Sequence, residues 1–479
     1  INIMNELSNV LPQGIYIKEH HKLTDYKKII NEVYNDKSIY PIDGLIFTHM
    51  GNYFNKAYKW KPTHELTIDF LVVKPNSKIV SLEEYNSYDP NTLGFLYCGI
   101  DIKTYNVLGI KPIPCQDNVG SGSYFGIQFC PSINPVAYII THENIEEYYG
   151  HIVEFSYIDD KFVPKIIRED KDALYKKGSY FGNDFRIAEL TYNSYMNPLE
   201  FEDLLKDPDN YFRLEKSDFY KPMIKFNSYV KQRILKQVSG FTHILDLASG
   251  KGQDLFIYHT NGVKELTMVD IDVDAIEQLN ERKFKLGNSK FYPNNVNVNR
   301  LSPIHINTMV LDINKDLIPD VSVNAVVINF AIHYFTINEK ATKRLLDMID
   351  SVLMKGGLFI FTCFDGNRLN NLLEKDNIGP VGEICLYEDN KIKYHIRKKD
   401  KNKIEVYQPF MLDYMDEYIV DIDFIINYMK TKKYITLHNN SFMDYINHYM
   451  QNRERFYNSM SDNDKIYSGL YNYVTLCKL

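Results

Sequence analysis

The sequence predicts two regions of different fold class, a small all-β barrel or sandwich followed by a doubly wound α/β sheet. Between residues 40 and 108, short β-patterned runs such as "LTIDFLVV" and "GFLYCGIDI" are separated by turn signals, without helices between them. From residue 223 onward, strand-like and helical stretches alternate, which is typical of a parallel sheet with helical crossovers. We place the main boundary near residues 210–220.

Length and composition exclude several classes of protein. A chain of 479 residues with 44% hydrophobic content can bury two or three cores. The net charge of −7 does not indicate general nucleic-acid binding, so any such surface must be local. No apolar run approaches the ~18 residues that a membrane span needs, so no membrane partner is expected. The six cysteines are scattered without a C-x-x-C pair, which favours a reducing compartment over a disulfide framework or a zinc site.

The amino-terminal strands lead into a helical segment and a connection. Two more strand candidates, "AYIITH" and "HIVEFSYI", follow the first group, with loops rich in glycine and serine between them. Near residue 183 the pattern becomes helical, in "DFRIAELTYNSYMNPLEFEDLLK". A charged stretch with prolines, "KDPDNYFRLEKSDFYKP", then connects to the α/β region. The segments of that region are "HILDLA", "ELTMVDI", "AIEQLNERKFKL", "NAVVINFAI", "ATKRLLDMIDSVLM" and "GGLFIFTCF".

The stretch "HILDLASGKGQDL", residues 243–255, joins a strand to a glycine loop. Gly250 and Gly252 form a turn that lets a ligand approach the backbone. A dinucleotide fingerprint would have a third glycine where the chain has Leu255, and no acidic residue in the strand. Here Asp246 lies four residues before Gly250, which suits a ligand with cationic groups. S-adenosylmethionine, with its ammonium and sulfonium groups, has this chemistry.

Two more aspartates fit the same ligand. Asp270 closes the next strand, where it could accept hydrogen bonds from two ribose hydroxyls. Asp312, before a third strand-like segment, could face the adenine amine. The alternative is that these are helix-capping aspartates of an ordinary α/β domain. We favour a methyl-donor site, because carboxylates at the ends of successive strands meet at one edge of the sheet.

Several motifs together resemble a known family. The runs "KFNSYVK", "LDLASGKGQDL", "VDID", "NFAIHYF" and "DEYIV" are similar to the mRNA cap guanine-N7 methyltransferases, in the form found in capping enzymes of poxviruses and African swine fever virus. Upstream, "DGLIF", "YKWKP" and "REDK" resemble the fourth, fifth and sixth motifs of the guanylyltransferase module of those enzymes. The resemblance covers nearly the whole chain.

The resemblance implies a domain organisation. We expect the carboxyl-terminal part of a guanylyltransferase domain at 1–68, an OB-fold at 69–190, a linker at 191–218, and a Rossmann-like class I methyltransferase at 219–479. The chain begins with Ile1, so we expect a piece of a longer enzyme. It is expected to act on the capped 5′ end of mRNA, in the host cytoplasm and in the virion. Whether a stimulatory small subunit is a further partner, as in the poxvirus relative, stays open.

The resemblance also implies the site residues. For the methyl donor they are Lys231, Asp246, Ala248, Gly250, Gly252, Asp254, Asp270 and Asp312. For the cap guanine they are Asn329, His333, Tyr334, Glu417 and Tyr471. Cellular relatives have Gly-Cys where this chain has Ala248-Ser249, two asparagines where it has Asn227-Ser228, and glutamine where it has Asn329. Ala248 adds a methyl group close to the cofactor, and Asn329 is one methylene shorter.

The chemistry needs no general base, because guanine N7 already carries a lone pair and the sulfonium methyl is a strong electrophile. Glu417 could accept hydrogen bonds from guanine N1–H and the exocyclic amine, and Tyr334 or Tyr471 could cover a ring face. Lys251 is a candidate for the cap triphosphate. Each assignment has an alternative. His333 could be a core histidine and Tyr334 a core tyrosine, "DEYIV" could be an ordinary edge strand, and Lys251 could be a solvated lysine. The basic run 391–403 is interpreted as a solvated hairpin, with a contact to RNA phosphates as the alternative.

The amino-terminal motifs predict an incomplete nucleotidyltransferase. No K-x-D-G motif, which holds the nucleophilic lysine in this family, precedes "DGLIF", so guanylylation by this chain is not expected; Lys18 is a candidate remnant of an intermediate motif. GTP and Mg²⁺ or Mn²⁺ would serve only the full-length enzyme. The residues that we expect to contact nucleotide phosphates or their metal are Asp43, Lys59, Lys61, Arg168, Asp170 and Lys171. The alternative for these is a charged sheet edge.

Two other functions compete with cap methylation. A degenerate methyltransferase could bind capped RNA or a partner subunit without turnover, although retention of Asp246, Asp270, His333 and Glu417 argues against it. A nicotinamide-dependent dehydrogenase is disfavoured by Asp246 and the missing third glycine.

Overall fold

The computed structural model describes residues 26–35, 43–48, 57–75, 89, 91–110, 119–120, 122–131, 139–205, 218–292, 296–318, 321–374, 381–408 and 413–479. Within these ranges the strands form four sheets of two, six, seven and four strands. No helix of the described residues is both long and apolar enough to cross a bilayer. Lys18 lies outside the described residues.

The first unit is a two-stranded sheet with one helix. Its elements are α1 (Tyr26–Asn35), β1 (Leu45–Thr48) and β2 (Ala57–Trp60). The Trp60 ring lies 5.2 Å from that of Tyr34, and Tyr34 stacks at 4.4 Å on Phe201. The Trp60 indole N–H also donates to the carbonyl of Leu199 at 2.7 Å. Residues 199–201, inside the predicted linker, therefore pack on this unit; the domain boundaries stay predictions.

The second unit is an antiparallel sheet in which β3, β4, β5, β7 and β8 follow the order β5-β4-β3-β7-β8, with β6 on β4. Helix α4 covers it, burying Ala188, Tyr192 and Tyr195 in a core with Phe70 and Phe129. This confirms an antiparallel β region, while its assignment as an OB-fold stays a prediction. The elements are β3 (Ile68–Val73), β4 (Leu93–Asp101), α2 (Ile102–Leu108), β5 (Tyr124–Gln128), β6 (Ile139–Thr141), β7 (Ile152–Ile158), β8 (Lys161–Ile167), α3 (Glu169–Tyr175), α4 (Phe185–Met196) and α5 (Phe201–Leu204).

The third unit is a seven-stranded sheet that confirms the predicted doubly wound α/β fold. Its order is β11-β10-β9-β12-β13-β19-β18, in which the first five strands are parallel and β19 is antiparallel to both neighbours. The strand order reverses between β9 and β12, which places the ligand edge at their carboxyl ends. The strands are β9 (His243–Leu247), β10 (Glu265–Asp270), β11 (His305–Val310), β12 (Val323–Asn329), β13 (Leu353–Phe364), β18 (Tyr434–Ser441) and β19 (Tyr471–Lys478).

Helices cover both faces of this sheet, and each face has its own apolar core. Lys283 at the end of α8 forms a buried ion pair of 2.6 Å with Glu189 of α4, which joins the sheet to the antiparallel unit. The helices are α6 (Lys221–Ile234), α7 (Leu255–Thr260), α8 (Val273–Lys283), α9 (Glu339–Val352), α10 (Gly366–Leu373), α11 (Ile422–Thr431), α12 (Ile446–Asn452), α13 (Glu454–Tyr457) and α14 (Asp462–Ser468).

A four-stranded antiparallel sheet, the inserted sheet, lies between α10 and α11 in the chain. Its strands are β14 (Glu383–Glu388), β15 (Lys391–Lys398), β16 (Lys403–Gln408) and β17 (Asp413–Tyr418). One face is apolar and packs against α6, α10, α14 and the end of β13. On β15–β16, the predicted basic hairpin, Arg397 pairs with Glu405 at 2.7 Å and Lys403 pairs with Asp416 at 2.6 Å. These internal ion pairs favour the hairpin interpretation over an RNA contact.

Candidate active site

The glycine loop turns back from the end of β9 in a left-handed backbone conformation. Ala248, Gly250 and Gly252 have φ values of 55°, 52° and 65°. A Cβ at Gly252 would lie 2.7 Å from Leu279 Cγ, so helix α8 packs directly on this glycine. At Gly250, by contrast, a Cβ would meet no atom of the described residues within 4 Å. Gly250 therefore faces open space at the ligand edge, as the sequence predicts for a backbone that a ligand approaches.

Asp270 is joined to this loop by hydrogen bonds. Its Oδ2 accepts from the Gly250 N–H at 2.6 Å, and its Oδ1 accepts from the Asp272 N–H at 2.9 Å. Burial raises the pKa of Asp270, partly offset by these backbone donors. A carboxylate has about four acceptor positions, so these backbone donors do not use all of them and capacity remains for a ligand hydroxyl.

A second group of charges lies on the other side of the loop. Lys231 of α6 donates to Asp254 Oδ1 at 2.6 Å, and the Asn329 amide donates to Asp254 Oδ2 at 3.1 Å. Lys231 and Asp254 are both buried. The structure thus brings together three residues that are far apart in the sequence.

Asp246 lies within this buried group. Burial, and then the charge of Asp254, raises its pKa well above the usual range, while Lys231 lowers it by a smaller amount. Because the buried carboxyl of Asp246 resists ionisation, a cationic ligand group here would stabilise its carboxylate form and would be electrostatically favourable. The buried hydroxyl of Ser249 and the Asn329 Oδ1 find no hydrogen-bond partner among the described residues. These features fit a ligand with both cationic and polar groups, such as S-adenosylmethionine.

Asp312 follows β11 in the chain. The N–H of the preceding residue, Leu311, donates to the Asp270 carbonyl at 3.0 Å, which places this segment next to the end of β10. Its carboxylate pairs with Lys315 at 2.9 Å and accepts from the Asn314 N–H at 3.0 Å. The hydrogen bond from Lys315 lowers the pKa of Asp312. Its contact with adenine stays a prediction.

The predicted guanine residues meet where β12, β17 and β19 come together. After Asn329, the chain passes through Phe330, at a φ of 57°, into a short 3-10 helix that carries His333 and Tyr334. His333 Nε2 lies 3.8 Å from Glu417 Oε2, and both side chains are buried. Burial lowers the pKa of His333 to about 3. His333 is therefore neutral at physiological pH.

Aromatic rings surround these residues. The Tyr471 ring, at the start of β19, lies 4.3 Å from that of Phe364 and 4.9 Å from that of Phe330. The rings of His333 and Tyr334 are 4.0 Å apart. Burial, followed by the charges of Tyr467 and Glu417, raises the pKa of Tyr471 well above its usual range. Tyr471 and Glu417 are therefore neighbours, although 53 positions separate them in the sequence.

Arg282 is a residue that the sequence analysis missed. It is half-buried near Asp254; burial lowers its pKa, and the Asp254 charge opposes that shift. The helical spacing could have indicated it. Arg282 follows Leu279 by three residues, so it lies on the face of α8 that packs on Gly252. With Lys251 of the glycine loop, which is partly buried, it gives two cations on this side of the site.

The amino-terminal motif residues lie in the first two units, outside the seven-stranded sheet. Lys59 and Lys61 are exposed while Trp60 between them is buried, so both lysines lie on the solvent side; Lys61 pairs with Asp43 at 2.6 Å.

The motif residues of the antiparallel unit form a network of their own. Arg168 contacts Asp69 at 3.3 Å, Glu154 at 3.1 Å and Asp170 at 3.1 Å, and Lys171 lies 4.0 Å from Asp170. The guanidinium is thus engaged by three carboxylates. The nucleotide contacts of these residues stay predictions.

Comparison with known proteins shows which family the chain resembles. The family model of the mRNA (guanine-N(7))-methyltransferase domain matches residues 211–473. The mRNA-capping enzyme of African swine fever virus (isolate Tick/South Africa/Pretoriuskop Pr4/1996) is 30% identical over 92% of this chain and 54% of its own length. The probable mRNA-capping enzyme of Acanthamoeba polyphaga mimivirus is 24% identical over 84% of this chain and 40% of its own.

A cellular relative matches only part of the chain. The mRNA cap guanine-N(7) methyltransferase of Caenorhabditis elegans is 30% identical over 32% of this chain and 40% of its own length. The chain spans about half the length of the African swine fever virus enzyme. A crystal structure of an S-adenosylmethionine-dependent methyltransferase from Clostridium acetobutylicum covers 54% of this chain and 96% of its own, at 15% identity and a TM-score of 0.34. From the matched domain, and in agreement with the predicted resemblance, the chain belongs to the mRNA (guanine-N7)-methyltransferase family.

Proposed function

We propose that this chain transfers a methyl group from S-adenosylmethionine to N7 of the guanine that caps mRNA 5′ ends. The observation that carries the proposal is the shared wall of the two subsites. Asn329 donates to Asp254 in the donor group, and four residues further His333 faces Glu417 at 3.8 Å. A donor and an acceptor bound in these subsites would be adjacent, which is what direct methyl transfer requires.

The donor subsite is formed by the glycine loop and its carboxylates. When bound, S-adenosylmethionine supplies a methyl carbon on a positively charged sulfur. Asp270 would accept from the ribose hydroxyls, since it retains free acceptor positions beside the open space at Gly250. The buried group of Asp246, Asp254 and Lys231 would hold the ammonium and carboxylate ends. These residues bind and orient, and none has to move a proton.

The acceptor subsite selects guanine through Glu417. A buried carboxylate can accept from both N1–H and the exocyclic amine of guanine, whereas adenine offers a lone pair at N1. Methylation makes the guanine ring cationic, so the same carboxylate would stabilise the transition state more than the ground state. The Tyr471 and Tyr334 rings would add cation–π attraction as that charge develops. Lys251 and Arg282 are suited to the cap triphosphate.

The test is incubation with GpppA-capped RNA and labelled S-adenosylmethionine, followed by nuclease digestion. We expect labelled m7GpppA from the wild-type chain, and none from ApppA-capped RNA. Binding of S-adenosylhomocysteine is measured in parallel by calorimetry. A wild-type chain that binds S-adenosylhomocysteine and GpppA without forming m7GpppA would support a binding platform instead.

The amino-terminal motifs support a second, more limited proposal. The parent enzyme would also be an mRNA guanylyltransferase that uses GTP with Mg²⁺ or Mn²⁺, with capped mRNA as its product and a small subunit as an optional partner, in the host cytoplasm and virion. The exposed row of Lys59 and Lys61 beside Asp43 is suited to nucleotide phosphates and their metal. This chain should form no covalent GMP adduct with GTP and metal. A GTP-dependent, acid-labile labelled band would contradict that expectation.

A further inference from the structure

A buried ion pair joins the inserted sheet to α14. Lys393 of β15 and Asp464 of α14 are 1% and 0% exposed, and Lys393 Nζ lies 2.9 Å from Asp464 Oδ1. The Tyr394 hydroxyl donates to the same oxygen at 2.6 Å, and Asp464 Oδ2 accepts from the Ser461 N–H at 2.9 Å. Burying two charges costs several kcal/mol unless they are well paired, and an apolar pair would often stabilise the fold as well. The position therefore calls for a role besides stability.

From this pair a row of tyrosines leads to the guanine pocket. Tyr394 stacks on Tyr467 with ring centroids 4.1 Å apart and an interplanar angle of 11°. Tyr467 lies on the same helix as Asp464, three residues later, and its ring is 6.0 Å from that of Tyr471. Burial, and then the charge of Glu417, raises the pKa of Tyr467, so the row ends beside Glu417.

Polar contacts with α14 help to fix the position of the inserted sheet: Asp464 binds Lys393 and Tyr394, and Asn463 donates to the Tyr387 carbonyl at 2.7 Å. Its described strands pair only with one another, so no backbone hydrogen bonds of the described residues tie them into the seven-stranded sheet. Its inner face is held by apolar packing, which is strong but not directional. Glu417 lies on β17, the strand at the edge of this sheet. A small slide of the sheet would move Glu417 relative to Tyr471 and His333.

We infer that Lys393 and Asp464 are positioning residues for the guanine pocket, holding the inserted sheet on α14 so that Glu417 faces its substrate. The inference rests on the proposed function. The ion pair is directional where the apolar face is not, and its further polar partners, Glu388, Tyr394 and Ser461, are not residues of the donor subsite. Its loss should therefore weaken cap binding and leave donor binding unchanged.

The test uses the double variant Lys393→Met/Asp464→Asn, which removes both charges of the pair; Glu388, which Lys393 also contacts at 2.9 Å, has a side chain 28% exposed and so stays accessible to water. We expect its KM and Kd for GpppA to rise at least tenfold, with the Kd for S-adenosylhomocysteine within twofold of wild type. Tyr394→Phe, which removes one hydrogen bond to Asp464 and keeps the stack on Tyr467, should raise the KM about threefold. Lys399→Met is the matched control, since Lys399 is an exposed, ion-paired lysine of the same sheet.

Two results would overturn the inference. One is wild-type GpppA affinity in both folded variants, the Lys393→Met/Asp464→Asn protein and the Tyr394→Phe protein. The other is a parallel loss of GpppA and S-adenosylhomocysteine binding with a lower melting temperature, which indicates general destabilisation. The proposed function fails separately, if the wild-type chain itself does not bind GpppA.

Discussion

The proposed donor and guanine subsites share a wall but are built in opposite ways. The donor carboxylates Asp246, Asp254 and Asp270 lie within 25 residues of chain, on neighbouring parallel strands and the loop between them. The guanine residues His333, Glu417 and Tyr471 are spread over 139 positions, and one of them is on the inserted sheet. A parallel sheet brings strand ends together by its topology alone, whereas the guanine subsite depends on packing between separate sheets.

This difference predicts that the two subsites can be damaged independently. The largest effect is expected for Glu417→Gln, which keeps the shape of the side chain and removes its charge. Cap methylation should fall by about 10² or more, roughly 3 kcal/mol of transition-state stabilisation. The loss should appear in kcat as well as in KM, because the charge of guanine develops during the reaction. Steady-state kinetics with GpppA-capped RNA measure it.

The control for Glu417→Gln is Asp416→Asn, on the same strand but exposed and paired with Lys399 and Lys403. It should retain near-normal kinetics. Affinity for S-adenosylhomocysteine should be unchanged in both variants. Near-normal methylation by the Glu417→Gln protein would show that Glu417 does not bind guanine and is an ordinary residue of an edge strand.

The reciprocal change is Asp270→Ala, in the donor subsite. Affinity for S-adenosylhomocysteine should fall by ~1.5–3 kcal/mol, because two ribose hydroxyls lose a charged acceptor. Part of the loss is indirect, since Asp270 also holds the Gly250 N–H at 2.6 Å. Calorimetry measures the affinity. The control is Asp274→Ala, because Asp274 is an exposed aspartate in the first turn of α8. Unchanged affinity in a folded Asp270→Ala protein would remove Asp270 from the site.

The same contrast explains what could be predicted from the sequence. Asp246 and Asp270 could be assigned from strand patterns alone, because each lies at a position that the parallel topology directs to the ligand edge. Glu417 could be assigned only through family resemblance, since "DEYIV" by itself indicates an edge strand. Lys393 and Arg282 lie in charged runs typical of solvated surface, and their burial comes from tertiary packing. No local pattern encodes such contacts.

The predicted linker in the amino-terminal half also shows that local sequence patterns do not encode tertiary contacts. The family resemblance implied a linker at 191–218, and the charge and prolines of "KDPDNYFRLEKSDFYKP" predicted a connection over 206–222. The helical pattern there is interrupted at Asn197, where α4 has already ended, and Phe201 packs on Tyr34. Composition predicts that a segment contains a turn, but the surface that it covers depends on a partner distant in sequence.

A smaller effect concerns the pH dependence of stability. The folded pKa of His333 is about 3, below the ~6.5 of an unfolded chain. Between these values the unfolded state binds more protons, so the stabilisation from neutral His333 is present above pH 6.5 and is lost as the pH falls toward 3. At pH 5.5, one pH unit below the pKa of histidine in the unfolded chain, the free energy of unfolding should be lower by about 1.4 kcal/mol.

Urea unfolding of the wild type and of His333→Gln at pH 7.5 and 5.5 measures this effect. The wild type should lose more unfolding free energy between the two pH values than the variant does. The comparison with the variant is necessary because Asp246, whose folded pKa is raised, contributes a dependence of the opposite sign. Equal losses in the two proteins would mean that His333 has the same pKa in the folded and the unfolded chain.

The smallest expected effect is a gain in the donor subsite. Ala248 has a φ of 55°, a conformation that costs a non-glycine residue on the order of 1 kcal/mol. Ala248→Gly relieves this strain but gives the unfolded chain more freedom, worth roughly 0.5–1 kcal/mol, so the stability should hardly change. Removing the methyl group where the loop approaches the donor should tighten S-adenosylhomocysteine binding about two- to fivefold, up to ~1 kcal/mol. Affinity for GpppA should stay the same, because the guanine subsite is built from other elements. Weaker donor binding would instead show that the Ala248 methyl, which packs on the core beneath the sheet, fixes the loop in its binding conformation.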